Sequence, residues 1–276
     1  MYLVPASAKL DRVNHVPRDP SMSSFDDAIE RSSVVKGFNI VRSTREHAPE
    51  LAGNAFSCGN CHLNVGQRAH SLPLVGVASR YPQFCDRENR QVGLADQVID
   101  CAQRHLNARV DDRESQSVTD VVAYITWLSK DIPSRYLRRE DPPIDPSAFV
   151  PVSELNPARG ADLYAKKCSQ CHGADGQGVD LAIAHPGPLW GPESWSDGGD
   201  AARIYVLASF IRRSMPLLNP GAMTDEEAQQ IAAYINAQER PRYAAKQHDY
   251  RGSTIPVDAV YYKQTRARIT RASTRQ

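Results

Sequence analysis

The chain has 276 residues, 41% of them hydrophobic and 24% charged, and its 33 Lys and Arg stand against 32 Asp and Glu for a formal charge of +1. That composition excludes a disordered chain, and the charge balance gives no support to nucleic-acid binding, which takes a clearly basic surface. Apolar runs such as 121–128 are far short of the ~20 residues that cross a bilayer, so no membrane span is expected.

The chain starts MYLVPASAKLDRVNH, with no basic stretch leading into an apolar segment. Residues 1–22 read as an N-terminal extension, and any export signal is expected to have been removed or lost with a misassigned start. Residues 25–43 place Ile29, Val34, Phe38 and Val41 at helical spacing. Cys58-Gly-Asn-Cys61-His62 follows, the C-x-x-C-H pattern of c-type haem attachment. Two further helices are predicted over 94–108 and 116–130. Five prolines, at 133, 142, 143, 146 and 151, make 132–153 a stiff linker. Asn156-Pro157 then opens a helix with an N-cap and Pro at its first position. It runs into a second motif, Cys168-Ser-Gln-Cys171-His172. Residues 200–213 are predicted helical, and Thr224-Asp-Glu-Glu227 is a capping box that starts a last helix to about Gln238. No run alternates as a strand does. Residues 241–276 are polar and basic, and are expected to wrap the surface.

The motif spacing has a chemical reason. Two thiols add across the two vinyl groups of a haem, and the adjacent His supplies an axial nitrogen to iron. A redox C-x-x-C or a zinc site would leave a second regularity unexplained. Cys58 to Tyr124 is 66 residues, Cys168 to Tyr234 is 66 residues, and an offset of 110 superposes both motifs and both final helices. The predicted fold is therefore all-α, two tandem class I cytochrome c domains at 23–131 and 154–240, carrying two covalently bound haem c groups.

The second axial ligand of each haem sets its chemistry. In the second domain Met215, after a helix and before Pro216, is the first candidate, and Met223 competes. The first domain has no Met between Cys61 and its last helix, so Cys101 and His105, one turn apart, compete. The 110-residue offset pairs His105 with Met215. Cys85 is the other cysteine outside the motifs. A Cys85–Cys101 disulfide, of the kind exported proteins form, would leave His105 as the ligand.

Taken together the sequence resembles the thiosulfate dehydrogenase family, dihaem c-type cytochromes of sulfur-oxidising bacteria, over about residues 25–245. The resemblance is carried by Cys58-Gly-Asn-Cys61-His62-Leu63, by Ile99-Asp100-Cys101-Ala-Gln-Arg104-His-Leu-Asn107, and by Ala123-Tyr124-Ile125-Thr126-Trp127-Leu128-Ser129. Pro188-Leu189-Trp190-Gly191 and Phe210-Ile211-Arg-Arg-Ser-Met215-Pro216-Leu217 add to it. It implies that Cys101 is the distal ligand of a catalytic haem and Met215 that of an electron-accepting haem. The chain departs from the family at His105, where Ser is usual, at Asn107-Ala108, often Asn-Gly, and at Ser214, where some members hold a Lys that alternates with the Met.

Thiolate ligation lowers a haem potential and thioether ligation raises it, so electrons would enter at haem 1 and leave through haem 2. The resemblance implies that thiosulfate reacts at the Cys101 sulfur and that a second thiosulfate releases tetrathionate, or the reverse. Two dianions beside haem propionates need fixed cations. Arg87 and Arg104 lead as substrate-binding residues, ahead of Arg80 and Arg90, with pairing to a propionate or solvent as the alternative for each. Arg212-Arg213 and Lys166-Lys167 read as solvated helix ends or an acceptor-docking edge, and His70 and His185 as surface or propionate contacts. The electron acceptor would be a soluble or membrane-bound cytochrome or similar carrier, and the location periplasmic, because haem c is attached after export. The competing readings are an electron carrier without a substrate site, a haem subunit of a larger sulfur-oxidation complex, and the same fold acting on another substrate.

Overall fold

The computed structural model describes residues 18–130, 144–181 and 186–263. Pro133, Pro142 and Pro143 of the expected linker, His185, and residues 1–17 and 264–276 lie outside the described residues.

Six helices of eleven residues or more occur among the described residues. They are α1 (Ala28–Arg42), α2 (Leu94–His105), α3 (Gln116–Ser129), α4 (Pro157–Lys167), α5 (Ile204–Ser214) and α6 (Asp225–Asn236). The first three build one cytochrome c domain and the last three another. Their starts are set by local chemistry. Asp27 accepts the Ile29 N–H at 2.7 Å, and Asn156 accepts from Ala158 and Arg159 with Pro157 at the first position. The Thr224–Glu227 box closes in both directions.

The 110-residue repeat is a helix crossing built twice. A Cβ on Gly37 of α1 would lie 2.0 Å from the Asp120 carbonyl oxygen and 2.8 Å from Tyr124 Cβ on α3. A Cβ on Gly160 of α4 would lie 2.1 Å from the Gln230 carbonyl oxygen and 2.7 Å from Tyr234 Cβ on α6. Only glycine allows so close an approach. Around the first crossing Val34, Phe38 and Val41 pack with Val118, Val121 and Tyr124; around the second, Ile204, Leu207 and Ile211 pack with Ile231 and Ala232.

Several expectations need correction. The chain between the first motif and α2 holds a hairpin, β1 (Gln83–Cys85) against antiparallel β2 (Arg90–Val92), with Cys85 opposite Arg90. Three-residue strands are too short for alternation to show in sequence. Helix α2 stops at His105, and Asn107 turns the chain at φ 53°. A separate turn at Asp200–Ala202 precedes α5. In the first domain residues 43–57 intervene between helix and motif, whereas α4 runs straight into Cys168. The C-terminal segment laces the domains together. Asp258, 1% exposed, accepts from Arg203 and the Tyr205 N–H, while the Tyr250 N–H donates to the Arg87 carbonyl. No helix among the described residues is long and apolar enough to cross a membrane.

Candidate haem sites

In the first motif a single turn presents all three groups. The N–H groups of Cys61 and His62 both donate to the Cys58 carbonyl, at 3.2 and 2.9 Å. The turn is anchored to the end of α1 because Thr44 Oγ1 accepts the Cys58 N–H at 3.0 Å. His62 Nδ1 donates to the Leu72 carbonyl at 2.6 Å. That bond fixes the tautomer and leaves Nε2 bare for iron. Burial lowers the His62 pKa, against the Leu72 bond that raises it, so the ring stays neutral as a ligand must be. Beyond it Asn64 and Val65 have φ of 51° and 56°. A β-branched residue rarely adopts this left-handed turn. Its consequence is that the Val65 carbonyl meets the Tyr124 hydroxyl at 2.8 Å.

Helix α2 brings Cys101 to the same space. Burial, and then the neighbouring Cys58 and Cys61 sulfurs, push its thiol well above the ordinary value. His105 is turned elsewhere. Its Nδ1 faces the Cys101 carbonyl at 3.3 Å, and its Nε2 accepts the Asp200 N–H from the second domain at 2.9 Å. Both ring nitrogens are engaged, which speaks against His105 as an iron ligand. Cys85 in β1 and Cys101 in α2 are both free thiols. Tyr81, which sequence reasoning passed over, feels both; burial, with these thiols adding, pushes its phenol up to about 12.

The four arginines separate clearly. Arg104, expected to bind substrate, is held by carboxylates. Its side chain is 3% exposed; it ion-pairs Asp100 through Nε, makes a bidentate pair with Asp249 at 2.7 and 2.8 Å, and donates to the Gly198 carbonyl at 3.1 Å. It also stacks on Tyr243, 4.3 Å from the ring centroid. Its work is to tie α2 to the C-terminal segment. Arg90 pairs with Glu88 and Asp96 at the surface. Arg87 is pinned by Asp200, with Asp100 4.0 Å away, while its Nε is buried without a partner. Burial alone would weaken the Arg87 charge, but Asp200 and Asp100 reinforce it. Burial likewise would raise Asp200; Arg87 overrides it and holds the carboxyl at about 2. Arg80 Nε is also buried without a partner.

In the second motif the Cys171 and His172 N–H groups donate to the Cys168 carbonyl at 3.1 and 3.0 Å, the same turn again. Met215 is the C-cap of α5; its N–H donates to Ile211 at 3.0 Å, and its half-buried side chain lies against the second core. Met223, the competitor, is 3% exposed and belongs to that core. Arg212 pairs with Asp225, Arg213 contacts His70 at 2.6 Å, and Lys167 pairs with Glu227. These cations are structural ties more than an open docking edge.

The residues fit haem c. The motif thiols are unpaired, and in each motif the same turn carries both cysteines and the adjacent His. Arg80 Nε, Arg87 Nε, Trp195 Nε1 and Arg240 Nη1 are buried donors with no acceptor. Buried donors are nearly always satisfied, and the propionates of a haem are acceptors of the right kind.

Residues 48–134 match the family model for the SoxA/TsdA cytochrome c domain, and 155–235 match that for subunit III of cbb3-type cytochrome c oxidase. The thiosulfate dehydrogenase of Psychrobacter arcticus is 34% identical over 247 residues, which cover 87% of this chain and 73% of that one. That of Stutzerimonas stutzeri is 35% identical over 76% of this chain and 68% of the relative. That of Allochromatium vinosum is 32% identical over 81% and 84%. Among solved structures, thiosulfate dehydrogenase (TsdBA) from Marichromatium purpuratum, as isolated, superposes with a TM-score of 0.73 at 29% identity. The match covers 87% of this chain and 52% of that one, so this chain spans about half the length of that protein.

Proposed function

The chain belongs to the thiosulfate dehydrogenase family, and from that premise we propose that it joins two thiosulfate ions into tetrathionate with release of two electrons, or runs the reverse. Two haem c groups would be held, one by Cys58 and Cys61 with His62 and Cys101 toward iron, the other by Cys168 and Cys171 with His172 and Met215. The observation that carries this reading is the contrast at the end of α2: the Cys101 thiol shares the space of Cys58 and Cys61, while both nitrogens of His105 are tied elsewhere.

When bound, the haems supply two one-electron acceptors. The chain's own groups do the rest. Cys101 provides the sulfur on which the first thiosulfate is held as a thiosulfonate, its formation releasing two electrons. A second thiosulfate attacks the thiosulfonate sulfur, tetrathionate leaves, and the Cys101 thiolate is restored. Arg87, oriented by Asp200 and Asp100, and Arg80 offer guanidinium donors to the sulfonate oxygens. The His62–Leu72 bond strengthens the proximal nitrogen. Met215 and His172 would hold the group that hands electrons on to a cytochrome or similar carrier. Haem c attachment follows export, so the site of action is the periplasm.

The test is turnover of the holoprotein with thiosulfate and ferricyanide, with tetrathionate as the assayed product. Tetrathionate formation is expected, and Cys101→Ala should reduce it at least a hundredfold with both haems still attached. Full activity in the variant would discard the cysteine chemistry. No product from the intact protein would leave an electron carrier.

A further inference from the structure

The two domains touch through the loops that carry one ligand support of each haem. The Leu72 carbonyl holds His62 Nδ1 at 2.6 Å. One residue before it, Ser71 Oγ accepts a hydrogen bond from Ser214 Oγ at 3.0 Å, across 143 residues of chain. Ser214 is the residue before Met215. Ser71 is 1% exposed and Ser214 is 0% exposed, so neither hydroxyl can turn to water. The contact is reinforced on both sides of Met215. Arg213 meets His70 at 2.6 Å, and Arg68 Nη2 donates to the Leu217 carbonyl at 3.3 Å.

We propose that Ser71 is a positioning residue for the second haem: through Ser214 it clamps Met215 in place from the first domain, so that domain docking sets how firmly the thioether is held. The geometry gives the reason. Met215 leaves the end of α5 with one backbone bond, to Ile211, and no described hydrogen bond can hold a thioether side chain directly. Beyond packing against the second core, its position comes from the chain on either side, and both flanks are held by residues 68–71 of the other domain. The same short segment ends at the carbonyl that orients His62. One loop therefore sets the proximal side of haem 1 and the distal side of haem 2.

This rests on Met215 as the haem 2 ligand, and the experiment separates the two claims. Holoproteins carrying Ser71→Ala, Ser214→Ala, the pair together, and Met215→Ala are titrated with imidazole, which enters a haem when its distal ligand lets go. In the single serine variants the apparent affinity of haem 2 for imidazole should rise about fivefold or more, the factor that one lost buried hydrogen bond carries. The spectrum of haem 1, 

which sits in the same domain as Ser71, should change less than that of haem 2. The double variant should recover the melting temperature, because two apolar groups no longer leave a hydroxyl unpaired, yet it should keep the raised affinity of haem 2. Imidazole affinity at haem 2 unchanged in all three serine variants, with Met215→Ala raising it strongly, would overturn the clamp alone. A Met215→Ala protein with an unaltered haem 2 would overturn the ligand assignment and the clamp with it.

Discussion

Helices α2 and α5 lie 110 residues apart and hold the same place in their domains, yet they end in different ways. Helix α5 ends at Ser214, and Met215 caps it with its N–H on the Ile211 carbonyl. Helix α2 ends at His105, whose imidazole is claimed by the Cys101 carbonyl and the Asp200 N–H. The only sulfur that α2 offers is one turn earlier, at the register of Ile211. One domain thus presents a half-buried thioether at a helix end. The other presents a half-buried thiol from within a helix, beside ion pairs that join it to the rest of the molecule. The lesson is that a duplicated scaffold can keep its crossing helices and motifs while the helix between them changes what it offers, which on the proposed reading gives one copy the sulfur chemistry and the other the passing on of electrons.

That division can be attacked from either side. Met215→Ala should cut steady-state turnover tenfold or more, while a single mixing with thiosulfate still reduces haem 1; loss of that first reduction too would erase the difference between the domains. Arg104→Gln strands Asp249 beside a lost partner. It should destabilise the protein by about 3–5 kcal/mol in denaturant unfolding and leave the KM for thiosulfate near its parent value. Arg87→Gln should raise KM roughly tenfold or more through loss of a charge-assisted donor. If the two swap effects, the assignment of Arg104 as a tie and Arg87 as a substrate group is reversed.

Gly37→Ala and Gly160→Ala test what the domains share. Each forces a methyl into a backbone carbonyl, and each should cost about 1–3 kcal/mol, read from separate denaturant melts. A harmless substitution at one of them would mean that the crossings are not equivalent.

The smallest expected effect is in acid. The Asp200 carboxyl is held at about 2, below its unfolded value of roughly 3.9. Its contribution is complete above the unfolded value and is lost as pH falls through about 2. Asp200→Asn should lower stability near neutrality and flatten the profile between about pH 4 and 2, so that the two proteins converge in acid, measured by melts across that range.

Much of this was legible from residues alone. The two C-x-x-C-H motifs state their chemistry outright, and the Tyr124 and Tyr234 spacing exposes the repeat because each tyrosine backs a glycine at a crossing. Caps at Asn156 and Thr224 were readable because capping is local. What stayed hidden depends on contacts far apart in sequence. Arg104 looks like a substrate cation beside Cys101, and only the fold brings Asp249 to it from 145 residues away. Asp200 reaches the first domain from the second in the same way. The hairpin around Cys85 was invisible because three residues per strand carry no period. The choice between Cys101 and His105 could not be made from register, since the 110-residue offset favours His105 and only the second domain draws its ring aside.

The central claim is that haem 1 is held by a thiolate from Cys101 and haem 2 is not. Electron paramagnetic resonance of the oxidised holoprotein tests it most directly. Two low-spin signals are expected, one of thiolate type that disappears in Cys101→Ala and one that persists there and changes only in Met215→Ala. A spectrum in which Cys101→Ala leaves both signals as they were would contradict the account.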